Sequence, residues 1–347
     1  MNVNDNEFIE MPPEDKLSDY KKVCAKLGLV MSVYFVCRIL SGLISEIIFD
    51  RLSESSESGA YALAMAIIVI MVYIIPMLIT AIVFKSMSYF NIRNENTKNL
   101  YKKPKRLARA LGTFPAMYGL GYGLAALTLL ALYLITQAAG QNTLIEDILR
   151  PNTIEQSTSL GSALMMVFML VVIAPVFEEV WVRGIMYDAL KPFGHGIAIL
   201  ISSILFGLMH GSVQMLFYTT ALGFALGYVR YATDSLLIVT ILHAMLNAIA
   251  AGMLFIIALE EITYGEIRIV NTIQSIYILA VFVLIIVGII AFIMRIPTIK
   301  KYTIENNWQE MTPRKKTAVF FTSIPVIIML LLAINEHTNF WLMSLLF

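Results

Sequence analysis

Long apolar segments recur along this chain, and they constrain its fold more than any other feature of the sequence. A helix that crosses the hydrocarbon core of a membrane needs about 20 apolar residues, because that core is about 30 Å thick and each residue rises about 1.5 Å. Nine segments fit or nearly fit this length: 27–49, 61–84, 111–136, 160–188, 197–213, 214–231, 236–258, 273–294 and 317–334. A tenth, 340–347, is too short to cross. We therefore predict an all-α polytopic membrane protein, a bundle of about 8–9 transmembrane helices.

The composition excludes both a soluble globular domain and a disordered chain. Hydrophobic residues make up 59% of the chain and charged residues 14%. Soluble domains contain about 45–50% apolar and about 25% charged residues. Disordered chains are poor in the aliphatic residues that dominate here. The formal net charge of +1 gives no indication of a nucleic-acid partner, so none is expected and the lipid bilayer is the expected partner.

The distribution of lysine and arginine predicts the orientation of the chain. Cytoplasmic loops of membrane proteins carry an excess of these residues. A cytoplasmic N-terminal segment, 1–26, places 21 of the 25 lysine and arginine residues on the cytoplasmic side, eight of them in 85–110. The loops on the other side, 50–60, 137–159 and 259–272, are then acidic or neutral. We expect a multi-pass protein of the cell membrane with a cytoplasmic N-terminus.

Cysteine labelling in intact cells tests this orientation. A cysteine at position 103, in a variant whose Cys24 and Cys37 are replaced by serine, should react with a membrane-impermeant maleimide only after the cells are opened. A cysteine at position 142 should react in intact cells, because 137–159 is predicted to lie outside. Labelling of position 103 from outside an intact cell would overturn the orientation.

Three motifs place polar side chains inside apolar segments. They are Glu178-Glu179-Val-Trp-Val-Arg183, Phe206-Gly-Leu-Met-His210 and His243-Ala-Met-Leu-Asn247. An ionisable side chain at the centre of a membrane helix costs at least about 2.5–3.5 kcal/mol. Such residues persist where another group pairs with them or where the protein uses them. The three motifs are therefore the candidate functional residues of the chain.

The positions of the motifs predict that they share one depth in the membrane. Glu178 lies sixteen residues before Gly194, which is in a turn, and His210 lies sixteen residues after it. Residues equidistant from the turn of an antiparallel helical hairpin lie at the same level. His243 lies thirteen residues beyond Arg230, another residue on the cytoplasmic side, and reaches a comparable level.

Helical spacing predicts which of these side chains face each other. Glu179 and Arg183 are i, i+4 neighbours and can form an ion pair. Glu178 is rotated by about 100° from Glu179, so it points elsewhere and is free to face a cavity. The i, i+4 spacing also puts Phe206 and His210 on one face, and likewise His243 and Asn247.

A free carboxylate, two imidazoles and a carboxamide suit the hydrolysis of an acyl bond. Glu178 can act as a general base toward water, and a histidine beside it can share the proton or hold the water. A second histidine and Asn247 can donate hydrogen bonds to the oxyanion of a tetrahedral intermediate. The motifs offer no nucleophilic serine or cysteine, which favours direct attack by water. We therefore predict Glu178, His210, His243 and Asn247 as catalytic residues.

Other interpretations of these residues stay open at the level of sequence. The Glu179–Arg183 pair is also compatible with a purely structural role. Glu178, His210 and His243 could instead ligate zinc with one open position, although the paired H-E-x-x-H spacing is absent. We favour a site without a metal or other cofactor.

Four further polar positions lie outside the motifs. Arg38 and Glu46 in the first apolar segment are expected to pair with each other or to reach the membrane surface. His195 and His337 are assigned no role.

The three motifs, in this order and in a membrane protein, resemble the CPBP family of CAAX prenyl proteases and bacteriocin-processing enzymes, also called the Abi family. The family pattern is Glu-Glu-xxx-Arg, then Phe-xxx-His, then His-xxx-Asn/Asp/Ser. The chain matches it without departure at the motif positions, and the resemblance covers about 160–250.

The resemblance implies an all-helical intramembrane protease whose polar cavity opens toward the cytoplasm. It implies that Glu178 and His210 activate the water and that His243 and Asn247 stabilise the oxyanion. Glu179, Arg183 and Phe206 are then supporting residues.

The apolar segments, together with the resemblance over about 160–250, predict three membrane regions after the cytoplasmic segment 1–26. N-terminal transmembrane helices occupy 27–136, a CPBP-type catalytic core occupies 160–258, and C-terminal transmembrane helices occupy 273–347.

The expected function is cleavage of a membrane-associated peptide, which would be a prenylated CAAX-like, bacteriocin or signal peptide. The alternative is a non-catalytic membrane scaffold or bacteriocin-immunity protein with the same fold. A secondary transporter would use the buried charges for proton coupling, but no inverted repeat is visible in the sequence. The sequence leaves the oligomeric state and the substrate undetermined.

Overall fold

Every element in the part of the chain that the computed structural model describes is a helix. The described residues are 13–53, 67, 70–86, 107–139, 160–262, 267–301 and 311–337. The α-helices are α1 (Pro13–Ser53), α2 (Ile75–Ser86), α3 (Leu107–Leu111), α4 (Phe114–Ala139), α5 (Leu160–Phe168), α6 (Ala174–Glu179), α7 (Tyr187–Leu190), α8 (His195–Leu208), α9 (Val213–Thr233), α10 (Leu236–Ile262), α11 (Ile267–Lys301), α12 (Pro313–Phe321) and α13 (Ile324–His337). The all-α fold class is therefore confirmed for these residues.

Within the described residues, five helices are long and apolar enough to cross a membrane. They are Lys16–Ile44, Phe114–Ile135, Ala163–Phe193, Leu236–Ile256 and Arg268–Ile296. Four of them coincide with the predicted segments 111–136, 160–188, 236–258 and 273–294. The first begins eleven residues before the predicted start at 27, because α1 continues in that direction and buries Tyr20 and Cys24.

The predicted total of 8–9 transmembrane helices is not reached by the described residues, which give five, or six if a bent pair counts as one. The predicted segment 197–213 corresponds to α8, which has only 14 residues, about 21 Å of helix. The predicted segment 214–231 corresponds to α9, which is long enough but too polar. Two parts of the predicted segments lie outside the described residues. They are 61–69, apart from residue 67, and 340–347.

The last predicted span, 317–334, is not a straight helix. Helices α12 and α13 meet at an angle of 71°, with the break at Thr322 and Ser323. The cause is Pro325, which has no backbone N–H to donate to the carbonyl of Phe321, four residues before it. The chain restarts instead from Ser323, whose carbonyl accepts from the N–H groups of Val326 and Ile327. The break therefore sends α13 in a new direction across α1.

Small residues allow two pairs of helices to approach closely. Gly119 of α4 crosses Gly288 of α11 so closely that a Cβ on Gly119 would lie 2.0 Å from the carbonyl carbon of Gly288. Gly223 of α9 lies against Ser203 of α8, where an added Cβ would be 3.0 Å from the Cα of Ser203. Small residues at such crossings are typical of membrane helices, where backbones pack by van der Waals contact.

Helix α8 is the central element around which the site is built. It packs against α9, α12 and the preceding helical segment, residues 160–190, which we call the motif helix. A short 3₁₀ turn, Lys191–Phe193, and Gly194 reverse the chain between the motif helix and α8. Gly194 has a φ of 126°, which only glycine adopts without strain. This turn makes the two segments antiparallel and brings the first two motifs side by side.

Candidate active site

The two glutamates of the first motif lie on a single α-helical turn between two π-helical turns, and Arg183 lies in the second of these. Helix α6 carries Glu178 and Glu179, while Met169–Ile173 precedes it and Val180–Met186 follows it, both with i→i−5 hydrogen bonding. Glu178 is 8% exposed and Glu179 is fully buried. Wider π-helical turns inside α-helices occur often at functional sites. The motif helix is therefore irregular where the two carboxylates lie.

Glu179 and Arg183 form the ion pair that their i, i+4 spacing predicts. Arg183 is fully buried and donates from Nη1 to Glu179 Oε1 at 2.8 Å and from Nη2 to the backbone carbonyl of Gly223 at 3.0 Å. The centre of its guanidinium group also lies 4.5 Å from the ring centroid of Phe206. Arg183 thus joins the motif helix to α8 through Phe206 and to α9 through Gly223.

His243 of α10 lies between the two glutamates. Its Nδ1 is 2.8 Å from Glu179 Oε1, and its Nε2 is 3.7 Å from Glu178 Oε2. Oε1 of Glu179 accepts from Arg183 and offers His243 an acceptor oxygen, so Nδ1 of His243 is the donor. When the ring is neutral, Nε2 is then an acceptor that faces the carboxylate of Glu178.

This geometry brings two acceptors toward each other. Glu178 Oε2 is buried and has no hydrogen-bond partner among the described residues. Two acceptors 3.7 Å apart repel unless a donor with two hydrogens lies between them or one of them takes up a proton. The Glu178–His243 pair is therefore suited to accepting a proton.

Phe206 separates the two histidines and contacts both. Its ring centroid is 4.8 Å from that of His210 and 5.6 Å from that of His243, and both contacts are edge-to-face. His210 Nδ1 lies 2.8 Å from the carbonyl of Phe206, which can only accept, so Nδ1 donates and Nε2 is the acceptor of the neutral ring. Phe206 and His210 thus lie on one face of the helix, as their i, i+4 spacing predicts. The bond to the Phe206 carbonyl also fixes the ring tautomer of His210.

Asn247 donates from Nδ2 to the carbonyl of Leu170 at 2.9 Å. Leu170 belongs to the π-helical turn before α6, where Ala174 donates to Met169, five residues back. The next donor in that register would be residue 175, but Pro175 has no N–H. Asn247 therefore supplies the hydrogen bond that Pro175 cannot give, and it fixes α10 to the motif helix. Nδ2 carries a second hydrogen, which can be donated to another acceptor.

A double-mutant cycle tests this account of Asn247. We expect Asn247→Ala to lower the free energy of unfolding by about 1–3 kcal/mol, because the buried carbonyl of Leu170 loses its donor. In a Pro175→Ala background the same change should cost much less, since the new N–H at position 175 can bind Leu170. The measurement is denaturant unfolding in mild detergent. Asn271→Ala, at an exposed position of α11, is the control and should change stability by less than about 0.5 kcal/mol. Equal losses in both backgrounds would contradict the account.

The described residues do not bring the alternative zinc ligands together. No group of three His, Cys, Asp or Glu side chains in the described ranges is arranged to hold a metal ion. Glu178 faces His243, and His210 contacts Phe206. The zinc alternative stays a prediction, and we derive no reaction step through a metal.

Polar residues outside the motifs have partners that the sequence did not predict. Arg38 pairs with Glu336 of α13, because the break before α13 brings that helix against α1. The side chains of Glu46 and His337 lie outside the described residues. His195 lies at the start of α8, and its Nδ1 is 2.7 Å from the hydroxyl of Tyr187.

Sequence reasoning missed the backbone carbonyls that hold the motif side chains. The carbonyls of Leu170 and Gly223 carry no residue-type signal, and only Pro175 could have indicated that one of them lacks a helical donor. It also missed Glu336, since 126 residues separate it from His210. Distance along the chain gives no indication of such a contact.

Comparisons with known proteins agree on the segment that carries the motifs. Residues 160–249 match the family model described as Type II CAAX prenyl endopeptidase Rce1-like. The chain is 29% identical over 90 residues to a protein of Bacillus subtilis (strain 168) named "Putative membrane peptidase YdiL". That match covers 26% of this chain and 37% of the relative, so the chain matches little more than a third of that protein's length. No solved structure matches this chain.

The several apolar helices and the matched family together describe a multi-pass membrane protein. Its orientation and the membrane in which it lies stay predictions. The three motifs that suggested the family all lie within the matched residues. The predicted resemblance to the CPBP family is therefore confirmed for the segment 160–249, which carries all three motifs.

Proposed function

We propose that this protein is an intramembrane endopeptidase that hydrolyses a peptide bond of a membrane-associated peptide. The observation that carries the proposal is the buried pair Glu178 and His243, whose Oε2 and Nε2 face each other at 3.7 Å. Nδ1 of His243, on the other side of the ring, binds Glu179 Oε1, and the same oxygen accepts from Arg183 Nη1. A purely structural ion pair would need neither the second carboxylate nor the histidine between them.

In the proposed reaction, Glu178 acts as the general base. Its carboxylate takes a proton from a water molecule while the water oxygen attacks the carbonyl carbon of the peptide bond. The carbonyl π bond breaks and its electron pair moves to oxygen, which forms a tetrahedral oxyanion. The oxyanion then collapses, the C–N bond breaks, and the proton passes from Glu178 to the leaving amine. The products are a carboxylic acid and an amine.

The other motif residues are assigned to the water and to the oxyanion. His210 can accept a hydrogen bond from the water at Nε2, because its Nδ1 is bound to Phe206. Asn247 can donate its second amide hydrogen to the oxyanion. His243 can also donate to the oxyanion, through Nε2, only when its ring is protonated, since its Nδ1 already donates to Glu179.

The matched family and the relative support a peptidase over a transporter. Within the CPBP family, the substrate of this chain is proposed as one of three classes: a prenylated CAAX-like peptide, a bacteriocin precursor or a signal peptide. Each would present an apolar part to the membrane and a scissile bond near its surface.

The proposal is tested with the full chain purified in detergent and one synthetic peptide from each class. We expect cleavage of at least one peptide, detected by mass spectrometry, and no loss of rate with a chelator. Cleavage that disappears on chelation and returns with zinc would replace the metal-free reaction by a zinc-dependent one. No cleavage of any peptide, in a folded protein that still performs its cellular role, would favour the scaffold or immunity function.

A further inference from the structure

An ion pair between the first and the last described helices lies against the turn that carries His210. Arg38 of α1 donates from Nη1 to the backbone carbonyl of Met209 at 2.7 Å, and its Nη2 is 2.6 Å from Glu336 Oε1 of α13. The hydroxyl of Tyr34, one helical turn before Arg38, lies 3.4 Å from the same carbonyl. Both charged side chains are largely buried, at 9% and 14% exposed.

Glycine at position 211 allows this close approach. A Cβ there would lie 2.8 Å from Glu336 Oε1 and 3.0 Å from Arg38 Nη2. Gly211 also has a φ of 63°, in the left-handed region that other residues rarely adopt. The ion pair thus contacts the residue before His210 through its carbonyl and the residue after His210 through its backbone.

We propose that Arg38 and Glu336 are positioning residues that fix the turn 209–212, and with it His210, for the hydrolysis proposed above. The inference rests on that proposed function, because it assigns these residues to the placement of His210 in the reaction. Neither residue lies in the segment 160–249 that the family model matches.

The end of α8 needs such support for a physical reason. Helix α8 ends at Leu208, and the last carbonyls of a helix have no donors within it. Two backbone bonds across the turn are long, from His210 to Gly207 at 3.2 Å and from Gly211 to Leu208 at 3.4 Å. The charge-assisted bond from Arg38 is the shorter one, and such bonds are stronger than neutral ones. Arg38 therefore holds the turn more firmly than its own backbone does.

Glu336 keeps Arg38 in this place. The guanidinium group has two terminal nitrogens in a rigid plane, so the bond to Glu336 at Nη2 orients Nη1 toward Met209. The 71° break between α12 and α13 gives α13 the direction that brings Glu336 to this point. A lysine at position 38 has one nitrogen for both partners and lacks this geometry.

The test compares four variants of the full chain in lipid nanodiscs: Arg38→Met, Arg38→Lys, Glu336→Gln and the double variant Arg38→Met/Glu336→Leu. Three quantities are measured: amide hydrogen exchange of 207–214, the thermal unfolding midpoint, and kcat and KM on a peptide that the wild type cleaves. Arg38→Met should increase exchange of the turn amides by about tenfold or more and lower kcat by about 10²-fold, with KM nearly unchanged. Arg38→Lys and Glu336→Gln should lie between this variant and the wild type.

The double variant separates positioning from stability. Replacing a buried ion pair by apolar residues often leaves stability unchanged. We therefore expect a nearly normal unfolding midpoint together with fast exchange and low kcat. Recovery of exchange and kcat along with stability would show a merely structural pair and would overturn the inference. Normal exchange in Arg38→Met would overturn it as well.

A matched control and an activity-independent readout keep the two proposals distinguishable. Arg230 is another buried arginine, paired with Asp188 and Asp234 at the other end of α9. Arg230→Met should not change exchange of 207–214. If the wild type cleaves no peptide, the proposed function fails, while faster exchange in Arg38→Met still supports the control of the turn by Arg38.

Discussion

Replacing Glu178 by glutamine is expected to lower the rate of peptide cleavage by about 10²–10⁴-fold while the protein still folds and binds its substrate. General acid–base groups contribute a factor of this size. Glutamine keeps the shape of the side chain and its capacity for hydrogen bonds, but it cannot accept the proton of the attacking water. The measurement is cleavage of a membrane peptide by purified protein, with substrate binding and unfolding followed in parallel.

Variants of the other motif residues show whether the loss of cleavage rate comes from the chemical step. His210→Ala should reduce the rate comparably, and the double variant should not be slower by the product of both losses, because the two groups act on one water. Asn247→Ala should cost about 10²–10³-fold, the effect of one missing oxyanion donor. A Glu178→Gln protein that keeps its full cellular role would show that this site is not used for proteolysis, and the scaffold function would take its place.

Replacing Arg183 by alanine is expected to destabilise the protein by about 3–5 kcal/mol, which is the usual cost of removing one partner of a buried ion pair. Glu179 would stay in the interior without its cation, and the carbonyl of Gly223 would lose a donor. Both groups are buried and bound to Arg183 at 3.0 Å or less. Expression and the free energy of unfolding in detergent should fall, and activity should fall with them.

Two controls accompany this prediction. Arg183→Lys should rescue stability only in part, because lysine lacks the planar fork that reaches Glu179 and Gly223 together. Lys22→Ala breaks an exposed pair with Asp19 at 3.1 Å and should cost less than about 1 kcal/mol. An Arg183→Ala protein that folds and cleaves normally would refute the pairing argument.

Glu179 connects the two predictions. It accepts from Arg183 and from His243 through the same oxygen, Oε1. Glu179→Gln should therefore lower stability through Arg183, and it should also release the tautomer of His243 that faces Glu178. Glu179→Gln should slow cleavage only by disturbing the orientation of His243. At equal concentration of folded protein, its loss of rate should therefore be smaller than that of Glu178→Gln.

The sequence by itself determined the class of fold and predicted the candidate residues of the site. Apolar length predicts helices at 111–136, 160–188, 236–258 and 273–294, because a membrane leaves few other ways to satisfy backbone hydrogen bonds. Helical periodicity predicts the ion pair between Glu179 and Arg183, since i, i+4 neighbours meet on any helix. Such local rules depend only on residues a few positions apart.

Only the tertiary structure decided which side chains of different helices meet. The sequence left open which histidine lies beside Glu178, and the packing of α10 on the motif helix puts His243 there, with Nε2 3.7 Å from Glu178 Oε2. Spacing along a helix fixes faces, but the rotation of one helix against another depends on close contacts such as those of Gly223 with Ser203.

The same reason explains the contacts that bind distant parts of the chain. Arg38 meets Glu336 because Pro325 breaks the last helix and changes its direction. Asn247 meets the carbonyl of Leu170 because Pro175 leaves it without a donor. A proline is visible in the sequence, but which side chain fills the bond that it leaves open is decided by the helix packed beside it.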